Sequence, residues 1–156
     1  MHPKSISNTL IGGFLLLALI GFADAAYLTL KHYTNAIPPC SLVSGCETVL
    51  TSPYATIGSV PISLVGAVYY LALFILTIAY IDSKNVFVLK TAAYFTWVGL
   101  LASAGLMALQ LFVIRALCLY CIASALTSTL LFILGIVILR KLKQSNIIEN
   151  MPVLMR

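Results

Sequence analysis

The chain has 156 residues, 62% hydrophobic and only 8% charged, with a mean hydropathy of +1.08 and a formal charge of +5. Soluble domains carry roughly 25% charged residues, so an ordinary water-soluble globule is excluded. The basic excess is distributed as a membrane-topology signal and does not point to nucleic acid.

A bilayer core takes about 20 mainly apolar residues per helix. Residues 10–30 qualify with a single charge, Asp24, and residues 62–81 qualify with none. Residues 91–139 form one apolar run interrupted only by Gln110 and Arg115. As a single helix it would extend about 74 Å, more than twice the hydrocarbon thickness. The run must therefore turn back, and Arg115 is the charge that marks the surface. Spans over 91–114 and 117–139 follow, so the predicted fold is an all-α bundle of four transmembrane helices, read as one domain over 1–156.

Lys4, Lys84, Lys90, Arg140, Lys141, Lys143 and Arg156 fall on one side of these spans, and only Lys31 and Arg115 on the other. The positive-inside rule then makes both termini and the 82–90 loop cytoplasmic. The location expected is the cell (inner) membrane. Ala23-Asp24-Ala25 also fits an A-x-A cleavage site after an apolar stretch. Apolar residues continue past it to Leu30, a full span, so the first helix is expected to be retained.

Residues 31–61 form the one sizeable polar loop, on the extracytoplasmic side. Ile37-Pro38-Pro39 is stiff and extended, because proline fixes its own φ and restricts the residue before it. Ser44 and Glu47 have capping-box spacing, which predicts a short half-helix over 47–54 lying flat on the bundle. Gly58 and Pro61 redirect the chain into the second span. Residues 140–156 are a cytoplasmic tail.

The four cysteines come in two pairs beside these spans. Cys40 and Cys46 lie in the loop behind the prolines, exposed enough for another protein to attack. Cys118 and Cys121 form a C-x-x-C at the head of the last span. At i and i+3 their Cα atoms are roughly 5 Å apart, inside the range of about 4.4–6.8 Å that a disulfide needs. Cys118 falls in the first helical turn, where free N–H groups and the helix dipole favour a thiolate. Cys121, one turn deeper, faces lipid-soluble reactants. Both pairs sit on the oxidising side, where disulfides persist. Together they point to an electron relay from protein thiols to a lipid-dissolved acceptor. The alternative is a non-catalytic tetraspan scaffold with structural disulfides, although a C-x-x-C bridge closes almost no loop and so restrains the unfolded chain little. No metal site is expected, since only one pair has zinc-knuckle spacing and no histidine accompanies it.

Cys40-x5-Cys46, the following Glu47-Thr48-Val49-Leu50-Thr51-Ser52-Pro53-Tyr54-Ala55, then Pro61, Gly66 and Cys118-Leu119-Tyr120-Cys121 resemble the vitamin K epoxide reductase family in its prokaryotic form, over residues 24–128. DsbB-type oxidases, a second four-helix family, place their C-x-x-C in the first outer loop, the reverse of the order here. The resemblance implies that Cys40 exchanges with a soluble thioredoxin-fold (DsbA-like) partner and that Cys46 passes the disulfide to Cys118. It further implies that Cys121 meets a quinone and that Ser52 contributes a hydroxyl to the half-helix covering the quinone pocket. Two features depart from relatives. Many bacterial relatives carry a fused thioredoxin-like domain after the last span and none is expected here, and Ala125 stands where vertebrate enzymes have a quinone-facing tyrosine. A respiratory quinone, menaquinone or ubiquinone, is therefore the expected acceptor rather than vitamin K or its epoxide.

Asp24 lies in the outer third of the first span, where a carboxylate is expensive. It either accepts protons during quinone reduction or bonds a neighbouring helix. Gln110 reads as helix–helix glue, and Lys31, His32 and Arg115 as surface anchors. Trp97 reads as an interface or packing residue, and the Tyr69–Tyr70 pair has no role assignable from sequence.

Overall fold

The computed structural model describes residues 6–39 and 45–154, with side chains as far as residue 145. Among the described residues, four helical segments are long and apolar enough to cross a membrane: Asn8–Tyr33, Ile62–Ser83, Val86–Ile114 and Leu119–Ser145. They belong to α1 (Asn8–Tyr33), α3 (Ile62–Ser83), α4 (Val86–Ala108, prolonged by a π-helical turn over Leu109–Ile114) and α5 (Leu119–Leu154). In the loop between α1 and α3 lie α2 (Cys46–Leu50), a 3₁₀ turn at Pro53–Ala55, and strands β1 (Thr56–Ile57) and β2 (Val60–Pro61).

The long helices close a ring in which α1 packs on α3 and α5, and α4 packs on the same two. Phe14 and Ala18 of α1, Leu73 of α3, Leu89 and Ala92 of α4, and Leu131 and Ile138 of α5 meet at its centre, all fully buried. Lipid is as apolar as leucine, so close packing rather than water exclusion holds such helices together. Gly99 shows how: an added Cβ there would collide with the Tyr69 ring and hydroxyl. Leu101 and Phe112 face outward, as expected where the solvent is hydrocarbon.

The turns follow from local chemistry. Lys84 takes a left-handed conformation at the end of α3, and Asn85 then accepts the Phe87 N–H at 2.9 Å to cap α4. Arg115 marks the chain reversal, as its charge predicts. It too is left-handed, with φ 55°, at the end of the π-helical turn. The helices overrun the apolar runs: α1 reaches Tyr33, and α5 continues through the basic residues expected to begin a tail.

The half-helix expected over 47–54 is two pieces. Ser52 is extended, with ψ 153°, because the proline that follows disfavours the helical region. Helix α2 therefore ends at Leu50, and Pro53 starts a separate 3₁₀ turn. Gly45 rather than Ser44 stands at the cap position of α2, with no side-chain cap bond; Ser44 itself lies outside the described residues. The β1–β2 hairpin, paired Thr56↔Pro61 and Ile57↔Val60, turns through Gly58 at φ 66°. A positive φ at that turn position is tolerated by glycine without steric penalty.

Candidate active site

The second cysteine pair is placed by the break between α4 and α5. In the π-helical turn the Ala116 N–H reaches the Gln110 carbonyl at 3.2 Å. The wider turn leaves Gln110 buried while Leu111, Phe112 and Val113 stay exposed. The Gln110 Oε1 then accepts the Cys118 backbone N–H at 3.0 Å in a buried hydrogen bond. Cys118 caps α5, its carbonyl taking the Ile122 N–H at 3.0 Å. Its side chain is fully buried, and Cys121, one turn on, is partly buried.

Helix α2 is laid directly on this link. A Cβ at Gly45 would stand 2.6 Å from the Leu117 carbonyl oxygen and 2.8 Å from its nitrogen. Glycine thus lets the two backbones meet, and Cys46 enters one apolar cluster with Val49 and Cys118, with Cys121 packed against it. Cys46 is disulfide-bonded, whereas Cys118 and Cys121 are free thiols. Cys40 lies outside the described residues. The segment before it is tethered, because the Tyr120 hydroxyl between the two C-x-x-C cysteines donates to the Pro39 carbonyl at 3.2 Å.

Hydrogen bonding from the Cys121 thiol brings the Cys118 thiol down to about 7, against burial, which pushes it up. The lowered value favours the Cys118 thiolate near neutral pH.

Beneath α2 the helices enclose a cavity of about 740 Å³, within the usual range of about 300–1,000 Å³ for small-molecule sites. Cys121, Gln110, Ser52, Asp24, Tyr69 and Ser128 line it, and Leu28, Val65, Leu106 and Met107 make its walls largely apolar. Among the described residues, three buried polar atoms on this lining lack a well-formed hydrogen bond: Asp24 Oδ2 and the neighbouring Tyr69 Oη and Ser128 Oγ. Buried polar groups are nearly always satisfied, so three on one cavity fit a ligand that carries oxygen atoms into an apolar space. The neighbouring Tyr70 is committed elsewhere, its hydroxyl donating to the Ser124 carbonyl at 2.9 Å.

The structure brings together Cys46, Cys118, Cys121, Ser52 and Asp24 of the residues expected from sequence. Ser52 lines the cavity, but its hydroxyl donates to the Val49 carbonyl at 2.7 Å, closing the end of α2. Gln110, Tyr69, Ser128 and Tyr120 complete the site. Sequence did carry a signal for Gln110: it is the single uncharged amide in the 91–139 run, one helical turn before the break. Tyr69 and Ser128 carried none.

Comparison with curated proteins finds no match. A family model, that of the vitamin K epoxide reductase family, matches residues 13–136 and takes in both α2 and the C-x-x-C. Four membrane-length helices, a loop cysteine beside a C-x-x-C, and a match over most of the length place this chain in the vitamin K epoxide reductase family of membrane oxidoreductases.

Proposed function

We propose that the chain oxidises the thiols of a soluble thioredoxin-fold, DsbA-like partner and passes the electrons to a lipid quinone of the menaquinone or ubiquinone type. One observation carries this reading: the C-x-x-C faces two ways. Cys118 shares a buried cluster with Cys46, while Cys121 opens on the cavity. A pair so placed can take electrons from the loop and release them inside the bundle.

A partner thiolate attacks Cys40 of the loop disulfide, and the partner's second thiol resolves the mixed disulfide, leaving the partner oxidised and Cys40 and Cys46 as thiols. Cys46 then attacks Cys118 of the second disulfide, and Cys40 resolves that intermediate to restore the loop bond. Cys118 and Cys121 are left as the dithiol. Each exchange conserves electrons and is governed by thiolate fraction and access. The quinone, when bound, is the two-electron, two-proton sink that lets Cys118 and Cys121 close again. The net change is partner dithiol plus quinone to partner disulfide plus quinol.

The cavity suits that acceptor. Apolar walls accommodate a ring and its tail, and the Tyr69 and Ser128 hydroxyls can donate to its oxygens. Asp24 supplies a buried carboxyl that could exchange protons there, and Ser52 lies on the same lining. Ala125 also lines the cavity and offers no hydroxyl, which supports a respiratory quinone over vitamin K. The positive-inside distribution of Lys and Arg supports cytoplasmic termini and extracytoplasmic cysteine pairs.

The test is oxidation of a reduced thioredoxin-fold protein by the purified chain, with and without a water-soluble quinone. The expected result is catalytic, quinone-dependent loss of partner thiols. Cysteine pairs that resist both reduction and quinone would instead support the structural-disulfide scaffold.

A further inference from the structure

The cavity runs from the loop into the bundle, and its two ends differ in chemistry. One face of α1 lines it from Asp24 through Leu28 to Lys31, His32 and Asn35. That spacing is a single helical stripe, so Lys31 and His32 stand about 12 Å nearer the loop than Asp24 at 1.5 Å per residue. His32 and Asn35, and Glu47 from α2, line the same space and are exposed, which opens it to water on the side of the cysteine loop. Thr51 and Ser52 of the loop and Ser63 at the start of α3 add hydroxyls to the wall. A polar passage of this size admits water, which hands protons from one such group to the next. Beyond Asp24 the chemistry changes. Phe14 and Ala18 lie two to three turns further along α1, packed in one cluster with Leu73, Leu89, Leu131 and Ile138, all fully buried. Thr77 and Thr96 are fully buried polar side chains on α3 and α4, and both hydroxyls are taken by their own helices. They donate to the Leu73 and Ala93 carbonyls, each at 2.7 Å. A close-packed apolar layer leaves no polar space for water.

We propose that the cavity is a one-sided proton passage: protons reach Asp24 from the loop side, past Glu47, Lys31 and His32, and none crosses from the side of the termini. This rests on the reading of the cavity as the quinone site, and it adds the charge balance of turnover. The partner's two thiols give up two protons and two electrons as one S–S bond forms in the partner. The electrons pass through the cysteine pairs to the quinone, and the two protons that complete the quinol enter by the passage. Release and uptake then occur on the same side of the membrane. No net charge crosses, so turnover neither builds a membrane potential nor responds to one.

Cysteines placed along the passage test it without turnover. Asp24→Cys and Leu28→Cys are each made in full-length protein carrying Cys118→Ala and Cys121→Ala, and treated with a small charged methanethiosulfonate that does not cross lipid. Sealed membrane vesicles of a single orientation are used, with Thr48→Cys on α2 and Lys84→Cys at the α3–α4 turn as markers of the two sides. Both cavity cysteines are expected to react from the side on which Thr48→Cys reacts. From the side of Lys84→Cys they should react at least about tenfold more slowly, because carrying a charge into an apolar layer is costly. Leu28→Cys, nearer the mouth, keeps the test decisive if Asp24→Cys does not fold. Similar rates from both sides, reaction only from the Lys84 side, or none from either side would overturn the proposal. Turnover gives a second reading. Vesicles that hold the native protein and a lipid quinone, and trap a pH-sensitive dye, should oxidise an external reduced thioredoxin-fold protein with no change in lumenal pH. Lumenal alkalinisation in step with the quinol formed would overturn the proposal as well. If no quinone-dependent oxidation occurs, the quinone reading fails instead, and the labelling still decides on which side the passage opens.

Discussion

Gly45 lies against the backbone of Leu117 so closely that an added Cβ would sit 2.6 Å from the Leu117 carbonyl oxygen. That contact seats α2 on the α4–α5 link and brings Cys46 into the cluster with Cys118. Neither backbone can yield as a flexible side chain would. Gly45→Ala is therefore expected to push α2 outward and slow Cys46–Cys118 exchange by about a hundredfold, the usual scale for misplacing a reacting group by about 1 Å. Reoxidation of the Cys118–Cys121 dithiol by quinone should be retained. Rapid-quench thiol trapping of each half-reaction checks this, and equal loss in both would mean the bundle itself is disturbed.

Cys118 should titrate near neutral pH. Its thiol stands at about 7 rather than 9.0, chiefly through the hydrogen bond from Cys121. A lowered pKa means the thiolate is present above about 7 and is lost as pH falls through that value, with rates dropping about tenfold per unit below it. Cys121→Ala removes the main lowering cause; burial and the charge of Asp24 still raise the pKa, and the backbone N–H groups at 120 and 121 still lower it. The midpoint of Cys118 alkylation should then rise above about 7. A midpoint unchanged by Cys121→Ala would show that another group controls it.

Ser52 lines the cavity, yet its proton goes to the Val49 carbonyl at 2.7 Å. Ser52→Ala is therefore expected to loosen the end of α2 and slow partner exchange and quinone reduction together, by about threefold to tenfold, the worth of one hydrogen bond. Selective loss of the quinone half-reaction would instead mean that Ser52 turns its hydroxyl to the quinone.

Asp24 Oδ2 is buried on the cavity lining with no hydrogen-bond partner among the described residues, and its proposed role is proton exchange with the quinone. Asp24→Asn should fold and exchange thiols with the partner normally. Its quinone reduction should slow by about 10²-fold or more, the range for losing a proton-transfer group. Thermal unfolding in detergent, compared with steady-state turnover, distinguishes a chemical loss from a structural one.

The parts of the fold set by chain-local physics could be read from the sequence. Apolar run lengths located the four long helices, and Arg115 marked the reversal because a lone charge in such a run must reach a surface. Pro53 limits the half-helix through a rule equally visible in sequence, but the helical spacing of Val49, Leu50 and Tyr54 concealed it. The cysteine spacing pointed to the C-x-x-C, yet nothing local showed that Gly45 brings Cys46 onto Leu117, since that contact joins distant segments. Gln110 read as interhelical glue because its partner, the Cys118 N–H, becomes available only after the π-helical turn forms. Tyr69 and Ser128 became part of the site only through helix packing around the cavity.

The relay stands or falls on whether Cys46 and Cys118 react with each other. In Cys40→Ser/Cys121→Ser neither resolving cysteine remains, so a Cys46–Cys118 bond formed with a mild oxidant persists. Peptide mapping of that variant, purified under non-reducing conditions after acid quenching, is the direct measurement. The relay predicts a Cys46–Cys118 disulfide with no free thiol at either position. Recovery of Cys46 and Cys118 as free thiols would contradict it.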